Sequence, residues 1–219
     1  MPQMIDTNVD LVLCIDCTGS MSPIIDAVKD RAINFHSDLT EALRVAEREV
    51  QQLRIKVIGF RDLTDREDFE ESDFFTLPED TAAFKSFVDK LVATGGGDNP
   101  ETGLDAVARA MCSDWVKEGT RKRHIIMVWT DAATKMPGIQ NMRSDLPKSL
   151  AEWRSWYEDP QTGKMDSAAK RLIIFGPGDA SWTESIQGLK GAHMEVVESG
   201  AGLKDVSMDI VLATVAKSI

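Results

Sequence analysis

The apolar run Val9-Asp10-Leu11-Val12-Leu13-Cys14-Ile15 continues directly into the polar turn Asp16-Cys17-Thr18-Gly19-Ser20-Met21. The apolar run has the length and the β-branched content of a strand that is buried on both faces. Ser22-Pro23 then begins a long helical pattern, because serine suits the N-cap and proline suits the first helical position. This succession of buried strand, polar turn and helix predicts one unit of an α/β fold.

The turn carries oxygen donors at alternate positions, on Asp16, Thr18 and Ser20. Alternate spacing can direct these side chains at one point, and one carboxylate with two hydroxyls there would suit a hard cation, first of all Mg²⁺. The other interpretation is a turn whose hydroxyls only accept hydrogen bonds from helix amides. The turn by itself leaves both interpretations open.

The rest of the chain alternates predicted strands with helical patterns. Further strands are predicted at Arg54–Phe60, at a short edge segment Phe74–Leu77, at His124–Thr130, at Leu172–Phe175 and at His193–Val197. Helices are predicted from residue 22 to about 50, after Pro78, from Asn99-Pro100 through Trp115, around Leu146 to Tyr157, from Ser181 to about Leu189, and over Asp205–Ile219. The acidic segment 67–73 is predicted to be a solvated loop. Apolar strands alternating with helices predict a mostly parallel sheet covered on both faces.

Two more loops combine acids with small residues. Thr94-Gly95-Gly96-Gly97-Asp98-Asn99-Pro100-Glu101-Thr102 has three glycines that permit positive φ and a close backbone approach, and Asp131 follows an apolar strand. The Gly-Lys-Ser/Thr ending of a phosphate-binding loop is missing. Open α/β sheets bind ligands outside the carboxyl ends of the strands, where the strand order reverses. In a 3-2-1-4-5-6 order, Asp16 and Asp131 would face each other there, and Asp98 would enter from between.

Length and composition restrict the class of protein. The chain has 219 residues with a net charge of −11, which predicts one domain over residues 1–219 and argues against a basic nucleic-acid-binding surface. It contains three cysteines, too few for a disulfide framework, and no apolar stretch approaches the roughly 20 residues of a membrane span. We therefore expect a cytoplasmic protein with neither a nucleic-acid nor a membrane partner.

The three loops together resemble the metal-binding loops of von Willebrand factor type A (vWA) domains. Asp16 to Met21 is similar to the Asp-x-Ser/Thr-x-Ser motif, Gly96-Gly97-Asp98 to the second loop and Thr130-Asp131 to the third. The resemblance covers nearly the whole chain. It implies a Rossmann-like, mostly parallel six-stranded sheet in the order given above, with a short antiparallel edge strand. The resemblance extends to bacterial members of the family, and it implies that this chain belongs to a stress, defence or signalling complex.

The resemblance also implies a metal-ion-dependent adhesion site, in which a divalent cation bridges to a carboxylate of a partner protein. Its expected ligands are Asp16, Thr18, Ser20, Asp98 and Asp131. Thr102 is the alternative ligand of the second loop, disfavoured because it is predicted to lie one turn into a helix. The cation is expected to be Mg²⁺, with Mn²⁺ or Ca²⁺ as alternatives, since all three accept oxygen ligands.

Two other functions compete with metal-dependent binding. A Mg²⁺-dependent phosphatase could use Asp16 as its nucleophile, but that chemistry needs a second acid two residues later, where this chain has Thr18. We recognise no catalytic constellation, and therefore predict that the chain is not an enzyme. The third possibility is a metal-free scaffold in which the hydroxyls of the loops only cap helices.

Overall fold

The structure is a computed structural model that describes residues 7–45, 50–63, 65, 68–96, 99–138, 145–161 and 163–197. Its strands are β1 (Thr7–Asp16), β2 (Gln52–Phe60), β3 (Phe69–Glu71), β4 (Phe75–Leu77), β5 (Arg121–Trp129), β6 (Lys170–Gly176) and β7 (Ala192–Val196). Its helices are α1 (Ile25–Val45), α2 (Thr81–Lys90), α3 (Gly103–Met111), α4 (Leu150–Glu158) and α5 (Ala180–Ile186).

One mostly parallel sheet organises these elements, in the order β3-β2-β1-β5-β6-β7, and β4 also pairs with β2. The pairs β1–β2, β1–β5, β5–β6 and β6–β7 are parallel, whereas β3 and β4 run antiparallel to β2. The predicted α/β class and strand order are confirmed, with β5, β6 and β7 as the fourth, fifth and sixth strands of that order. The sheet order therefore reverses between β1 and β5.

The edge of the sheet beside β2 differs from the prediction. Phe69–Glu71 lies in the segment expected to be a solvated loop, but it forms β3, so the described sheet has seven strands rather than six. The acidic composition misled the prediction because the charge of Glu71 is paired. Its carboxylate oxygens lie 2.5 Å from Lys56 Nζ and 2.5 Å from Arg109 Nε. Neutralised in this way, the segment can supply hydrogen bonds to the open edge of β2.

The polar turn after β1 is longer than the sequence suggests. Gly19–Met21 forms a short 3₁₀ turn, and α1 begins at Ile25 rather than at Ser22-Pro23. Helix α1 is described as far as Val45, and the end predicted for it, near residue 50, follows residues 46–49, which lie outside the described residues.

Other helix boundaries also move. Helix α3 begins at Gly103, four residues after the predicted N-cap Asn99, and it ends at Met111, before Trp115. The predicted helix over Asp205–Ile219 lies outside the described residues. Within those residues, no helix has the length and apolarity that crossing a membrane would require.

A hydrophobic core lies on each face of the sheet. One contains side chains of α1 and α2, such as Val28 and Phe84, and the other contains side chains of α3, α4 and α5. Aromatic residues of α4 pack in this second core: Trp153 and Tyr157 are buried, and Trp153 Nε1 donates to Leu104 O at 2.7 Å. Because these strands are parallel, their carboxyl ends lie at one edge of the sheet, between the two helical layers.

A buried ion pair joins β1 to β2 near the amino ends of these strands. The Asp10 side chain is 1% exposed and accepts two hydrogen bonds from the Arg54 guanidinium, at 2.8 and 2.6 Å. Asp10 also accepts the backbone N–H of Val116 at 2.6 Å. An exposed pair of the same forked geometry occurs on α1, where Arg44 donates twice to Glu41 at 2.7 Å.

These two pairs give a matched test of burial. We expect Asp10→Ala to lower the free energy of unfolding by about 3 kcal/mol, because it leaves a mostly buried guanidinium and a backbone N–H without their acceptor. Glu41→Ala should leave the unfolding midpoint unchanged, because water replaces the lost partner. Urea denaturation of both variants measures the difference. Equal midpoints would show that the Asp10 pair does not stabilise the fold.

Candidate metal centre

The Asp16 carboxylate is completely buried at the carboxyl end of β1. Its Oδ1 accepts the backbone N–H of Thr18 at 2.9 Å and the Thr18 hydroxyl at 2.7 Å. Its Oδ2 accepts the hydroxyl of Thr130 at 2.6 Å. Thr18, just after β1, and Thr130, just after β5, therefore both donate hydrogen bonds to the Asp16 carboxylate. This is expected because β1 and β5 are neighbours in the sheet.

A second group of oxygens continues from the first. The Ser20 hydroxyl donates to Asp131 Oδ1 at 2.9 Å, and Thr18 Oγ1 lies 3.2 Å from Ser20 Oγ. The structure thus brings together Asp16, Thr18, Ser20 and Asp131, four of the five residues predicted to form the site. The loop after β1 and the loop after β5 meet although Ser20 and Asp131 are 111 positions apart in the sequence.

The hydroxyls do not act as helix caps. Thr18 stands at the N-cap of the 3₁₀ turn, but its side chain makes no capping hydrogen bond to that turn. Both its hydroxyl and that of Ser20 contact side-chain oxygens instead. The alternative in which these hydroxyls only satisfy helix amides is therefore wrong.

The protons available to this cluster are too few for its contacts. Each hydroxyl has one proton, yet the two hydroxyls of Thr18 and Ser20 take part in three close oxygen–oxygen contacts, at 2.7, 2.9 and 3.2 Å. If Thr18 donates to Asp16 and Ser20 donates to Asp131, the two hydroxyl oxygens present lone pairs to each other. With both carboxylates ionised, the cluster has an excess of acceptors, which suits a cation.

Burial dominates the electrostatics of Asp16. Loss of water around the carboxylate is the largest effect and raises its pKa, the negative charge of Asp131 adds a smaller increase, and the balance of all contributions is a pKa of about 6. The hydrogen bonds from Thr130 and Thr18 lower the pKa and oppose these effects. Within the part of the chain that the structure describes, no three or more His, Cys, Asp or Glu side chains form a cluster that could hold a metal. The donors here are instead two carboxylates together with hydroxyls.

The glycine-rich loop lies against the turn after β1. Gly95 and Gly96 have φ of +75° and +72°, and Gly95 O accepts the backbone N–H of Gly19 at 3.0 Å. A Cβ at Gly96 would lie 2.8 Å from Thr18 Cβ, so a side chain there would displace that residue. The predicted positive φ and close approach are confirmed. Asp98 lies outside the described residues, and its role as a ligand stays a prediction.

The position predicted for Thr102, the alternative ligand, is wrong. It stands at the N-cap of α3, not one turn into the helix. The residue is completely buried, and its hydroxyl donates to the backbone carbonyl of Arg61 at 2.5 Å. The contact found for the Thr102 hydroxyl is therefore to the loop after β2.

Glu101 is not among the predicted ligands, but its side chain is buried beside the turn after β1. A Cβ at Gly96 would lie 2.9 Å from Glu101 Oε1 and 2.8 Å from Thr18 Cβ, so all three groups are close. Glu101 also joins the loop after β5: its N–H donates to Ala133 O at 2.9 Å, and its carbonyl accepts the N–H of Lys135 at 2.6 Å. The error came from starting the helix at Asn99, which put Glu101 inside it.

Comparisons with known proteins agree with this architecture. A family model described as the integrin beta chain VWA domain matches residues 59–144, which include the second and third loops. The alpha-protein kinase vwkA of Dictyostelium discoideum is 28% identical over 167 residues, which are 75% of this chain and 23% of that protein. This chain thus spans less than a quarter of that relative.

Solved structures share the fold at low sequence identity. The PilB minor pilin of Streptococcus sanguinis has a TM-score of 0.63 and 11% identity over 99% of this chain and 63% of that chain. The pilus adhesin SpaC of Lactobacillus rhamnosus GG has a TM-score of 0.59 and 14% identity over 98% of this chain and 31% of that chain. These similarities concern the fold alone.

The sheet order and the three loops at its reversal point define a Rossmann-like α/β domain with an oxygen-rich site at the carboxyl edge. Together with the family match over residues 59–144, they support a vWA-type domain. Domains of this type typically mediate protein–protein interactions, commonly through a metal ion, and are generally interaction modules rather than enzymes.

The Thr130 hydroxyl offers a test of the buried carboxylate. Thr130→Val keeps the shape of the side chain but removes the donor to Asp16, so we expect the metal-free protein to lose about 1–3 kcal/mol of unfolding free energy. The control is Thr183→Val, because Thr183 is exposed on α5 and should change the midpoint little. Denaturation in the presence of EDTA checks both variants. Equal stability would show that Asp16 does not depend on this bond.

Proposed function

We propose that this chain is a divalent-metal-dependent protein interaction module. In this proposal Asp16, Thr18, Ser20 and Asp131 hold one Mg²⁺ ion, and the metal binds an Asp or Glu side chain of a partner protein. The observation that carries the proposal is the surplus of acceptors among these oxygens, with two hydroxyl protons for three close contacts. A cation would satisfy the lone pairs that hydrogen bonds leave facing each other. Mn²⁺ and Ca²⁺ take the same ligand type and are the alternatives.

The charge of the site favours binding an outside anion. Hydroxyl ligands are neutral, so the two carboxylates of Asp16 and Asp131 only just balance one divalent ion. A third direct carboxylate, from Asp98 or Glu101, would make the sum −1 and would repel an incoming acid. We therefore propose that at least one acid of the site holds the metal through water, which leaves a coordination position for the partner.

For the second loop, the proposal has two acidic candidates. Asp98 is favoured by the resemblance of its loop to the second metal-binding loop of vWA domains. Glu101 is supported by its position, since its carboxylate is buried near Thr18 and its backbone is bonded to the loop after β5. Thr102 has less support, because the contact found for its hydroxyl is to the Arg61 carbonyl of the loop after β2, whereas the Glu101 carboxylate lies near Thr18.

Catalysis has less support than binding. Position 18 would hold the general acid of an aspartyl phosphatase, but here it is a threonine whose hydroxyl donates to Asp16. The kinase named among the relatives is mostly made of sequence that this chain does not match. A role in a bacterial stress, defence or signalling complex is the finer part of the proposal, and it rests on the resemblance of the loops alone. The cytoplasmic location is proposed from the small number of cysteines and from the lack of a long apolar stretch in the sequence.

Direct metal binding is the first test. Titration calorimetry with MgCl₂ or MnCl₂ should show one site in the unmodified protein, no binding for Asp16→Ala, and roughly tenfold or greater weakening for Ser20→Ala. The control is Asp26→Ala, because Asp26 is an acid on the first turn of α1 whose side chain is 93% exposed. Circular dichroism checks that each variant is folded. Unchanged affinity in a folded Asp16→Ala variant would contradict the proposed site.

Metal-dependent capture of a partner is the second test. Protein immobilised with Mg²⁺ should retain a partner that EDTA releases and that Asp16→Ala fails to retain, whereas Asp26→Ala should retain it. Replacing the acids of the captured partner in turn should identify one carboxylate that is required. Generic phosphatase substrates provide the opposing outcome: turnover that Asp16→Ala abolishes would favour the enzyme alternative.

A further inference from the structure

A buried ion pair links the loop after β2 to the loop after β5, beside the candidate metal centre. Lys135 Nζ donates to Asp62 Oδ2, and the two side chains are 4% and 0% exposed. Neither residue was predicted to bind the metal. Lys135 also donates its backbone N–H to Glu101 O at 2.6 Å, so the same residue holds the second loop to the third.

The residue before Asp62 contacts the second loop and the segment that leads into it. The Arg61 carbonyl accepts the Thr102 hydroxyl at 2.5 Å, and the Arg61 guanidinium donates to Val92 O at 2.7 Å. The guanidinium also pairs with Glu70 at 2.6 Å and is 4% exposed. Arg61 therefore holds both ends of the connection that runs from α2 to α3.

Two further contacts extend the pattern to the glycines and to the first loop. Asp65 Oδ2 accepts the N–H of Gly96 at 2.9 Å, while the N–H of Asp65 donates to Asp62 O at 2.9 Å. The carbonyl of Phe60 accepts the N–H of Cys17 at 2.8 Å. Four residues after or at the end of β2 thus contact all three loops of the candidate centre.

We propose that these four residues, Phe60, Arg61, Asp62 and Asp65, form an anchor loop that positions the three metal-binding loops without binding the metal itself. This inference rests on the proposed function for its effect on metal affinity, but the positioning is a property of the metal-free fold. The Asp62–Lys135 pair is the central contact, because it crosses from β2 to the loop that carries Asp131.

The charges of Asp62 and Lys135 matter more for the position of the loops than for the stability of the fold. Two well-packed apolar side chains often stabilise a protein as much as a buried ion pair does, since they avoid the desolvation of two charges. An ammonium and a carboxylate, however, fix the separation and direction of the two loops through a hydrogen bond. We infer that the pair holds the third loop in a fixed position relative to the first. Residues that hydrogen-bond to metal ligands commonly orient those ligands in the same way.

Three variants distinguish an effect on the position of the loops, measured as Mn²⁺ affinity, from an effect on the stability of the fold. Lys135→Met leaves Asp62 buried without its ammonium, so this variant should be less stable and should bind Mn²⁺ roughly tenfold or more weakly. The double variant Asp62→Leu/Lys135→Met replaces the pair by apolar side chains, and it should recover most of the stability but not the affinity. The control is Lys170→Met, because Lys170 is a buried lysine at the first residue of β6, where its Nζ donates to Tyr157 O, and its loss should leave Mn²⁺ affinity unchanged.

Amide hydrogen exchange in EDTA tests the anchor loop independently of any metal. In the double variant the amides of Gly96, Glu101 and Lys135 should exchange roughly tenfold faster than in the unmodified protein, while that of Leu13 in β1 should not change. Unchanged exchange at these amides would overturn the inference, whatever the metal affinity. Recovery of Mn²⁺ affinity together with stability would overturn it as well. A protein whose loops loosen as expected but which binds no Mn²⁺ would instead refute the proposed function and leave the anchor loop supported.

Discussion

Strand β1 is paired on both sides, with β2 and with β5, and this constraint fixes the place of every other part of the site. Parallel pairing puts Asp16 opposite Phe60 and puts Ile15 opposite Trp129. The chain leaves all three strands at the same edge of the sheet, so the loops that follow them have to share one small volume. A carboxylate at the end of β1 has no access to water there.

The cost of burying Asp16 is offset locally by hydroxyl and amide donors, and that local solution produces the chemical character of the site. A positively charged side chain would have neutralised the acid and closed it to other ligands. Neutral hydroxyls instead bring acceptor lone pairs of their own, and those of Thr18 and Ser20 lie 3.2 Å apart. The same residues therefore make the carboxylate tolerable in the fold and make the cluster suitable for a hard cation.

The charged side chains around the cluster are arranged in a different manner. Lys135 and Arg61 are buried, and they pair with Asp62 and Glu70 rather than with the acids of the candidate centre. Positive charge is thus used to hold the loops together, while Asp16 and Asp131 contact only hydroxyl and amide donors among the bonds described above. This separation gives the loops a defined geometry and keeps two carboxylates available for a metal.

The sequence by itself determined the α/β class and the polar residues that directly follow the buried strands, because these depend on local pattern. The strand order does not follow from local pattern; it was implied by the resemblance to vWA domains, and the structure confirms it. Continuous apolar runs identify buried strands, and polar residues directly after them must lie at their carboxyl ends. Charge pattern failed for β3, since the pairing of Glu71 with Lys56 cannot be seen in a local segment. Only the tertiary structure decided that Glu101 lies beside Thr18 and that Asp62 meets Lys135, 73 positions away. Such contacts depend on how separate loops pack, and residue spacing along the chain carries no information about that packing.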